Sequence, residues 1–257
     1  MKLIQSRDNA FFKSLKRLAD SGRERRKTGK TLLDGVHLVK AYEAACAPVD
    51  TLIVAESALS SGEISTYLDG REALVLTDSL MRDLGLVDTP SGLIAVAAIP
   101  KSSAAVDHEK EAVLLDGIQD PGNVGTLLRT VAAAGIQQVF MSPGCASAWS
   151  PKVLRAGQGA HFVLNIHEDV DLAQFIADYR GTTAVTCLEK STSLYDAEWT
   201  GPLAWIFGAE GRGVSQELIA SADLKLRIPM PGAVESLNVS AAAAICLFEA
   251  LRRKINS

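Results

Sequence analysis

Ala204-Trp-Ile-Phe-Gly-Ala-Glu-Gly-Arg-Gly-Val-Ser215 and the later run Ile228-Pro-Met-Pro-Gly-Ala-Val-Glu-Ser-Leu-Asn-Val-Ser240 decide the fold. In the first, an apolar run ends in Gly208, Gly211 and Gly213, the pattern of a buried strand opening into a tight loop ahead of a helix. Glycines let a backbone approach a ligand closely, as at many nucleotide sites. Yet Glu210 sits inside the loop, and the turn from Pro229 to Asn238 adds Glu235 and no cation. A carboxylate among those amides repels a pyrophosphate. The loop therefore suits a nucleoside-like ligand that is neutral or cationic at its reactive end, such as the sulfonium S-adenosylmethionine. Taken alone, the loop reads more simply as a plain turn leading into a helix.

Outward from this stretch, strands and helices alternate. Strands are expected at Ala112–Leu115, Gln138–Met141, Phe162–Ile166, Thr183–Cys187, Leu203–Phe207 and Leu224–Ile228. Helices are expected at Val124–Ala134, from Pro151, at Asp171–Tyr179, at Gln216–Ala220 and at Leu237–Arg252. The last is apolar almost all round, which predicts burial inside the domain or in a subunit contact. Towards the N-terminus, Asn9–Ala19 is an amphipathic helix with Lys13, Lys16 and Arg17 on its outer face. Arg23–Lys30 reads as a turn or mobile loop. Strands at Thr31–Gly35, Thr51–Ala55, Ala73–Leu76 and Gly92–Ala98 interleave with helices at Val36–Ala45, Ser61–Leu68 and Ser79–Leu84. This is a second α/β unit. Pro100–Lys110 is small, polar and non-periodic, a linker by composition. The expected division is 1–99, a linker at 100–110, and 111–257.

The chain of 257 residues is 47% apolar and 22% charged, which excludes wholesale disorder. Aromatic content of 5% argues against a surface built on base stacking. No apolar run reaches membrane-spanning length and no signal-peptide core opens the chain, so a cytoplasmic location is expected. Cys46, Cys145, Cys187 and Cys246 are scattered, and the four histidines form no ligand spacing. Neither a disulfide frame nor a metal site is expected. The net charge of −4 conceals an asymmetry: residues 1–40 hold eleven Lys/Arg against four Asp/Glu, leaving −11 for the remainder. A basic arm on an acidic body suggests a polyanionic partner, although a solvated helix face would have the same composition.

Three loops of the second half are candidates for chemistry. Asp116-Gly-Ile-Gln-Asp-Pro-Gly-Asn-Val-Gly125 leads into a helix carrying Arg129; the other two are Gly208–Gly213 and Pro229–Asn238. Singly, Asn123 reads as a helix N-cap, Arg129 as a surface residue, and Ser236 and Asn238 as further caps. Absence of Gly-Lys-Ser/Thr excludes a P-loop, and no Gly-x-Gly-x-x-Gly follows the first strand of either unit. A nicotinamide-dependent oxidoreductase is correspondingly disfavoured.

Together these residues are more specific. The chain resembles the SpoU/TrmH family of RNA ribose 2′-O-methyltransferases, within the SPOUT superfamily. The resemblance rests on Asp120-Pro-Gly-Asn-Val-Gly-Thr-Leu-Leu-Arg129, Ile206–Ser215 and Ile228–Ala243, in that order. At the front, Ser6-Arg-Asp-Asn9, Leu33-Asp-Gly-Val-His37 and Thr89–Ala95 are similar to the substrate-binding domain often fused to it. There Asp34 stands where Glu is commoner, and Ser91 where Gln is usual.

The resemblance implies a small N-terminal α/β substrate-binding domain and a C-terminal parallel-sheet domain tied in a trefoil knot, acting as a homodimer. It implies methyl transfer from S-adenosylmethionine to a ribose 2′-hydroxyl in structured RNA, ribosomal in preference to transfer RNA. Asn123, Arg129, Glu210, Ser236 and Asn238 would form the catalytic set. Gly208, Glu210, Gly211, Ile228, Met230, Ser236 and Leu237 would hold the cofactor, without a metal. The alternative is a catalytically inactive RNA-binding protein of the same fold.

Overall fold

The computed structural model describes residues 2–87, 89–100, 105–234 and 236–256. Glu235 and part of the expected linker lie outside them. In chain order the strands and helices of the first hundred residues are β1 (Lys2–Ile4), α1 (Ala10–Asp20), α2 (Gly22–Thr28), β2 (Lys30–Asp34), α3 (Val36–Ala45), β3 (Thr51–Ala55), α4 (Gly62–Leu68), β4 (Ala73–Leu76), α5 (Asp78–Leu84) and β5 (Leu93–Ala98). There follow β6 (Ala112–Asp116), α6 (Pro121–Ala133), β7 (Gln138–Met141), α7 (Pro151–Gly157), β8 (Asn165–His167) and α8 (Leu172–Asp178). The chain closes with β9 (Thr182–Thr186), β10 (Thr192–Ser193), β11 (Leu203–Gly208), α9 (Gln216–Ser221), β12 (Leu224–Arg227) and α10 (Val239–Asn256).

These elements form two compact units. One takes in the described part of 1–101 together with Trp149–Phe162; the other takes in the described part of 102–148 and 163–257. In the first unit the described strands make a mixed sheet in the order β1-β4-β3-β5-β2, with β2 and β3 both antiparallel to β5. Residues 149–162, from the second half of the chain, pack here. The Thr31 hydroxyl donates to the Trp149 carbonyl at 2.6 Å, and Arg155 pairs with buried Asp34 at 3.1 Å. Asp34 Oδ1 also accepts from the Ser91 hydroxyl at 3.1 Å, so the two positions that depart from the family pattern touch each other. Burial pushes the Asp34 carboxyl up, against the lowering pull of the Ser91 bonds and the Arg155 charge.

The stretch Arg23–Lys30, read as a loop, is mostly helix. The Ser21 hydroxyl accepts from the Glu24 amide and Gly29 closes α2 at φ 63°, a complete pair of stop and start signals. Arg25 is 5% exposed and donates to the carbonyls of Leu18 and Ala19 at 2.7 and 3.0 Å. It thereby satisfies orphan groups at the end of α1.

In the second unit the described strands form a sheet in the order β10-β12-β9-β11-β6-β7-β8, with every pair parallel. Central strands covered on both faces should be continuously apolar. Val113-Leu-Leu115 in β6 and Ala204-Trp-Ile-Phe207 in β11 are so, each residue 1% exposed or less. Helix α10 packs on α6 and β11, and its buried residues are Val239, Ser240, Ala243, Cys246 and Leu247. Its opposite side is not buried: Phe248 is 46% exposed and Ile255 73%. The expected all-round burial is therefore half met within one chain, because no described element covers the second face. Arg253 holds the C-terminal part of α10, donating to the carbonyls of Leu194, Tyr195 and Ala197 and lying over the Trp199 ring at 4.3 Å.

Candidate active site

Parallel strands deliver their carboxyl ends to one edge, and loops that diverge there leave a crevice. Gly208 at the end of β11 is in register with Asp116 at the end of β6. From Asp116 the chain turns towards β7, whereas from Gly208 it passes through α9 to β12, on the other side of β9. Asp116 ties the two exits together. Its carbonyl accepts from the Ala209 amide at 3.1 Å, and its carboxylate accepts from the Ser215 amide at 2.9 Å and the Ser142 hydroxyl at 3.2 Å.

The Gly208–Gly213 turn is closed on itself. A side chain at Gly208 would start 2.2 Å from the backbone of Gly213 and Val214. The close approach that this glycine permits is thus to its own loop. Gly211 lies open at the tip, where a methyl group would meet nothing within 4 Å.

Helix α6 begins three residues earlier than expected. Asp120 is its N-cap, accepting from the Asn123 amide at 2.8 Å, and Pro121 is its first residue, the combination favoured at helix starts. Asn123 is consequently not the cap, and its side chain is available to the crevice. There its amide donates to Glu210. Its Oδ1 accepts from the Asn238 side-chain amide at 3.0 Å and from the Ser240 hydroxyl at 3.2 Å. Asn238 serves twice, since its Oδ1 also accepts from the Ser240 amide at 2.9 Å at the start of α10. Three loops far apart in sequence meet at Asn123.

Beside this network lies a cavity of about 690 Å³, within the usual size range for small-ligand sites. Gly208, Glu210, Ile228, Met230, Ser236 and Leu237 all line it, with Leu226, Val239 and Ala242 as apolar walls. Gly211 is on the same turn but not in the lining. Arg129 is exposed on α6 and makes no hydrogen bond or ion pair among the described residues. It is not brought to the cavity within one chain.

Sequence reasoning missed several lining groups. Thr186 ends β9 and Cys187 and Leu188 follow it, where the carboxyl end of β9 neighbours that of β11; the parallel-sheet rule alone would have found them. It also missed cations. Lys190, Arg212, Lys225 and Arg227 line the cavity with Glu189 and Glu210, so the wall is of mixed charge rather than acidic. Burial pushes the Cys187 thiol up, which keeps it protonated and unsuited to nucleophilic work. Among the described residues no group of three His, Cys, Asp or Glu could hold a metal ion, and no helix is long and apolar enough to cross a membrane.

The pattern of the SpoU rRNA Methylase family matches residues 110–248, the span that builds this crevice. The chain belongs to that family. An MRM3-like substrate binding domain matches residues 9–95. The 23S rRNA (guanosine(2553)-2′-O)-methyltransferase RlmP of Bacillus subtilis is 31% identical over 96% of this chain and 98% of its own. A solved RNA 2′-O ribose methyltransferase superposes with a TM-score of 0.83 at 28% identity, covering 98% of this chain and 99% of that one. The SpoU methyltransferase AviRb of Streptomyces viridochromogenes, solved with AdoMet, shares the fold at 24% identity, with a TM-score of 0.78 over 97% and 100% of the two chains.

Proposed function

We propose that this member of the SpoU family transfers a methyl group from S-adenosylmethionine to a ribose 2′-hydroxyl of ribosomal RNA. The observation that carries the reading is the Asn123–Glu210–Asn238 network at the rim of a nucleoside-sized cavity, on the edge where the parallel strands end. The residues present suit the cofactor. Leu226, Ile228, Val239 and Ala242 offer an apolar bed for an adenine ring, and Glu210 offers a carboxylate to a cationic centre. When bound, S-adenosylmethionine supplies an electrophilic methyl group on its sulfonium.

The protein's own task is then positioning, which for an in-line displacement accounts for most of the attainable rate gain. Backbone of Gly208, Ile228 and Leu237 holds the nucleoside, with Met230 and Ser236 completing the wall and Gly211 at the tip of the adjoining turn. Asn123 and Asn238 orient the ribose through neutral hydrogen bonds, and Glu210, fixed by Asn123, places the substrate. Arg129, without an intrachain partner among the described residues, takes the target phosphate and steers the hydroxyl; its permanent charge suits that role. RlmP, as its name states, methylates a guanosine of 23S rRNA on the 2′-oxygen, which supports a ribosomal substrate here.

A homodimer is part of the same reading. Ala241, Ile245, Phe248 and Ile255 recur at helical spacing on the uncovered side of α10, a stripe suited to a second copy. A trefoil knot belongs to the same reading through the family resemblance; Asn238 and Ser240 return to the first turn of α6, more than a hundred residues after Asn123. The test is to add S-adenosylmethionine to the full chain and follow melting. Binding to the native state raises Tm by mass action, and labelled methyl then passes to ribosomal RNA. No Tm shift at saturating cofactor would remove the reading.

A further inference from the structure

The basic arm of the sequence is an ordered surface. On α2, Arg23, Arg26 and Lys27 are spaced i, i+3, i+4, which places them on one helix face. All three are exposed and make no ion pair or hydrogen bond among the described residues. Arg25 is on the opposite face, buried and bonded to Leu18 and Ala19. Arg17, on the last turn of α1, is exposed and likewise without a partner among the described residues. Five other cations of this unit are matched: Arg7 with Asp83, Lys13 with Asp8, Lys16 with Asp20, Lys30 with Asp50 and Arg71 with Glu43. Within the arm, four cations without an ion pair among the described residues, Arg17, Arg23, Arg26 and Lys27, thus lie on α2 and the end of α1, while Lys2 and Lys40 stand apart on β1 and α3. Arg23, Arg26 and Lys27 sit on a helix whose angle to α1 is set by Ser21, which ends one helix and caps the next, and by the Arg25 bonds.

We infer that the Arg23–Arg26–Lys27 face of α2 docks on the phosphate backbone of the RNA substrate, while Arg25 and Lys30 take no phosphate. The inference rests on the methyltransferase reading above for there being an RNA substrate at all. Three guanidinium or ammonium groups on one rigid face meet successive phosphates without ordering a loop, so little conformational entropy is lost on docking. Such contacts are blind to base identity and position the duplex or strand for a reader elsewhere.

The experiment measures affinity for deproteinised ribosomal RNA against KCl concentration, using the full chain. Three forms are compared: wild type, Arg23→Gln/Arg26→Gln/Lys27→Gln, and a charge-matched control, Lys2→Gln/Arg82→Gln/Lys152→Gln. The control removes three other exposed cations of the same unit that also lack ion pairs among the described residues. Each lost phosphate contact should flatten the slope of log K against log salt by ~0.7–0.9, so the α2 variant should lose about 2 to 2.7 in slope. The control should keep the wild-type slope, and both variants should keep the wild-type Tm shift with S-adenosylmethionine. Equal flattening in both variants would mean that diffuse charge binds the RNA and would overturn the proposal. An unchanged slope in an α2 variant that still methylates RNA would overturn the α2 face alone. A wild-type chain that binds no RNA would overturn the functional reading and this proposal together.

Discussion

Asn238 donates its side-chain amide to Asn123 Oδ1 at 3.0 Å, joining residues 115 positions apart. Neither residue is in the cavity lining; Asn123 connects to it through Glu210, which is part of that lining. In Asn238→Asp the donor becomes an acceptor facing another acceptor. The bond is exposed, so its loss costs about 0.5–1.5 kcal/mol, and methyl transfer should fall by up to roughly ten-fold while cofactor affinity is unchanged. Steady-state kinetics with RNA and calorimetry with S-adenosylmethionine check the two halves. Loss of cofactor affinity as large as the loss of rate would place Asn238 in the cavity wall instead.

Gly208 and Gly211 separate a closed position of the loop from an open one. Gly208→Ala sets a methyl group against the Gly213–Val214 backbone, an overpacking that should cost about 1–3 kcal/mol and abolish the cofactor-induced Tm shift. Gly211→Ala meets no atom within 4 Å, so stability should stay within ~0.5 kcal/mol of wild type. Chemical denaturation distinguishes them, and equal destabilisation would contradict the loop geometry.

Arg129→Ala should leave the fold and the cofactor-induced Tm shift intact and abolish most methyl transfer to RNA. Arg129 lies on the exposed side of α6 and away from the cavity lining, so truncation disturbs neither the core nor the cofactor walls. Activity near wild type would remove it from the reaction.

Much of the site was legible because its signals are local. Glycines at strand ends, the continuous apolar runs of β6 and β11, and the polar residues of three loops are all visible in one dimension. Their meeting at Asn123 was legible only through the family pattern. Asp120-Pro121 carried a cap-and-first-turn signal that moves the start of α6 and releases Asn123 from capping. For α2, the charge density of Arg23–Lys27 hid an equally plain Ser21-x-x-Glu24 start, and burial of Arg25 depends on α1 carbonyls no local pattern reveals. The packing of α7 in the first unit depends on tertiary partners, Thr31 with Trp149 and Asp34 with Arg155. β1 and β10, at three and two residues, are too short to show a period. The uniform composition of α10 conceals which face is covered, and Lys190 and Lys225 reach the cavity from neighbouring chain segments.

Glu249 accepts from both Arg252 and Arg253, and these bonds hold its carboxyl down to about 2, from an ordinary 4.5. A lowered folded-state value means that the stabilisation is present above 4.5 and is lost as pH falls through about 2. Glu249→Gln should therefore melt below wild type at neutral pH, with the two Tm curves converging as pH falls towards 2. Parallel curves across that range would show that the pair contributes nothing through ionisation.

The central claim is methyl transfer to a ribose oxygen, and the most direct measurement locates the methyl group. Ribosomal RNA from cells lacking this protein is incubated with the purified chain and isotopically labelled S-adenosylmethionine, digested to nucleosides and examined by mass spectrometry. The account predicts label on the ribose of one nucleoside type, absent when Asn123→Ala replaces the wild type. Label on a base, or no label in RNA although the chain binds the cofactor, would contradict it.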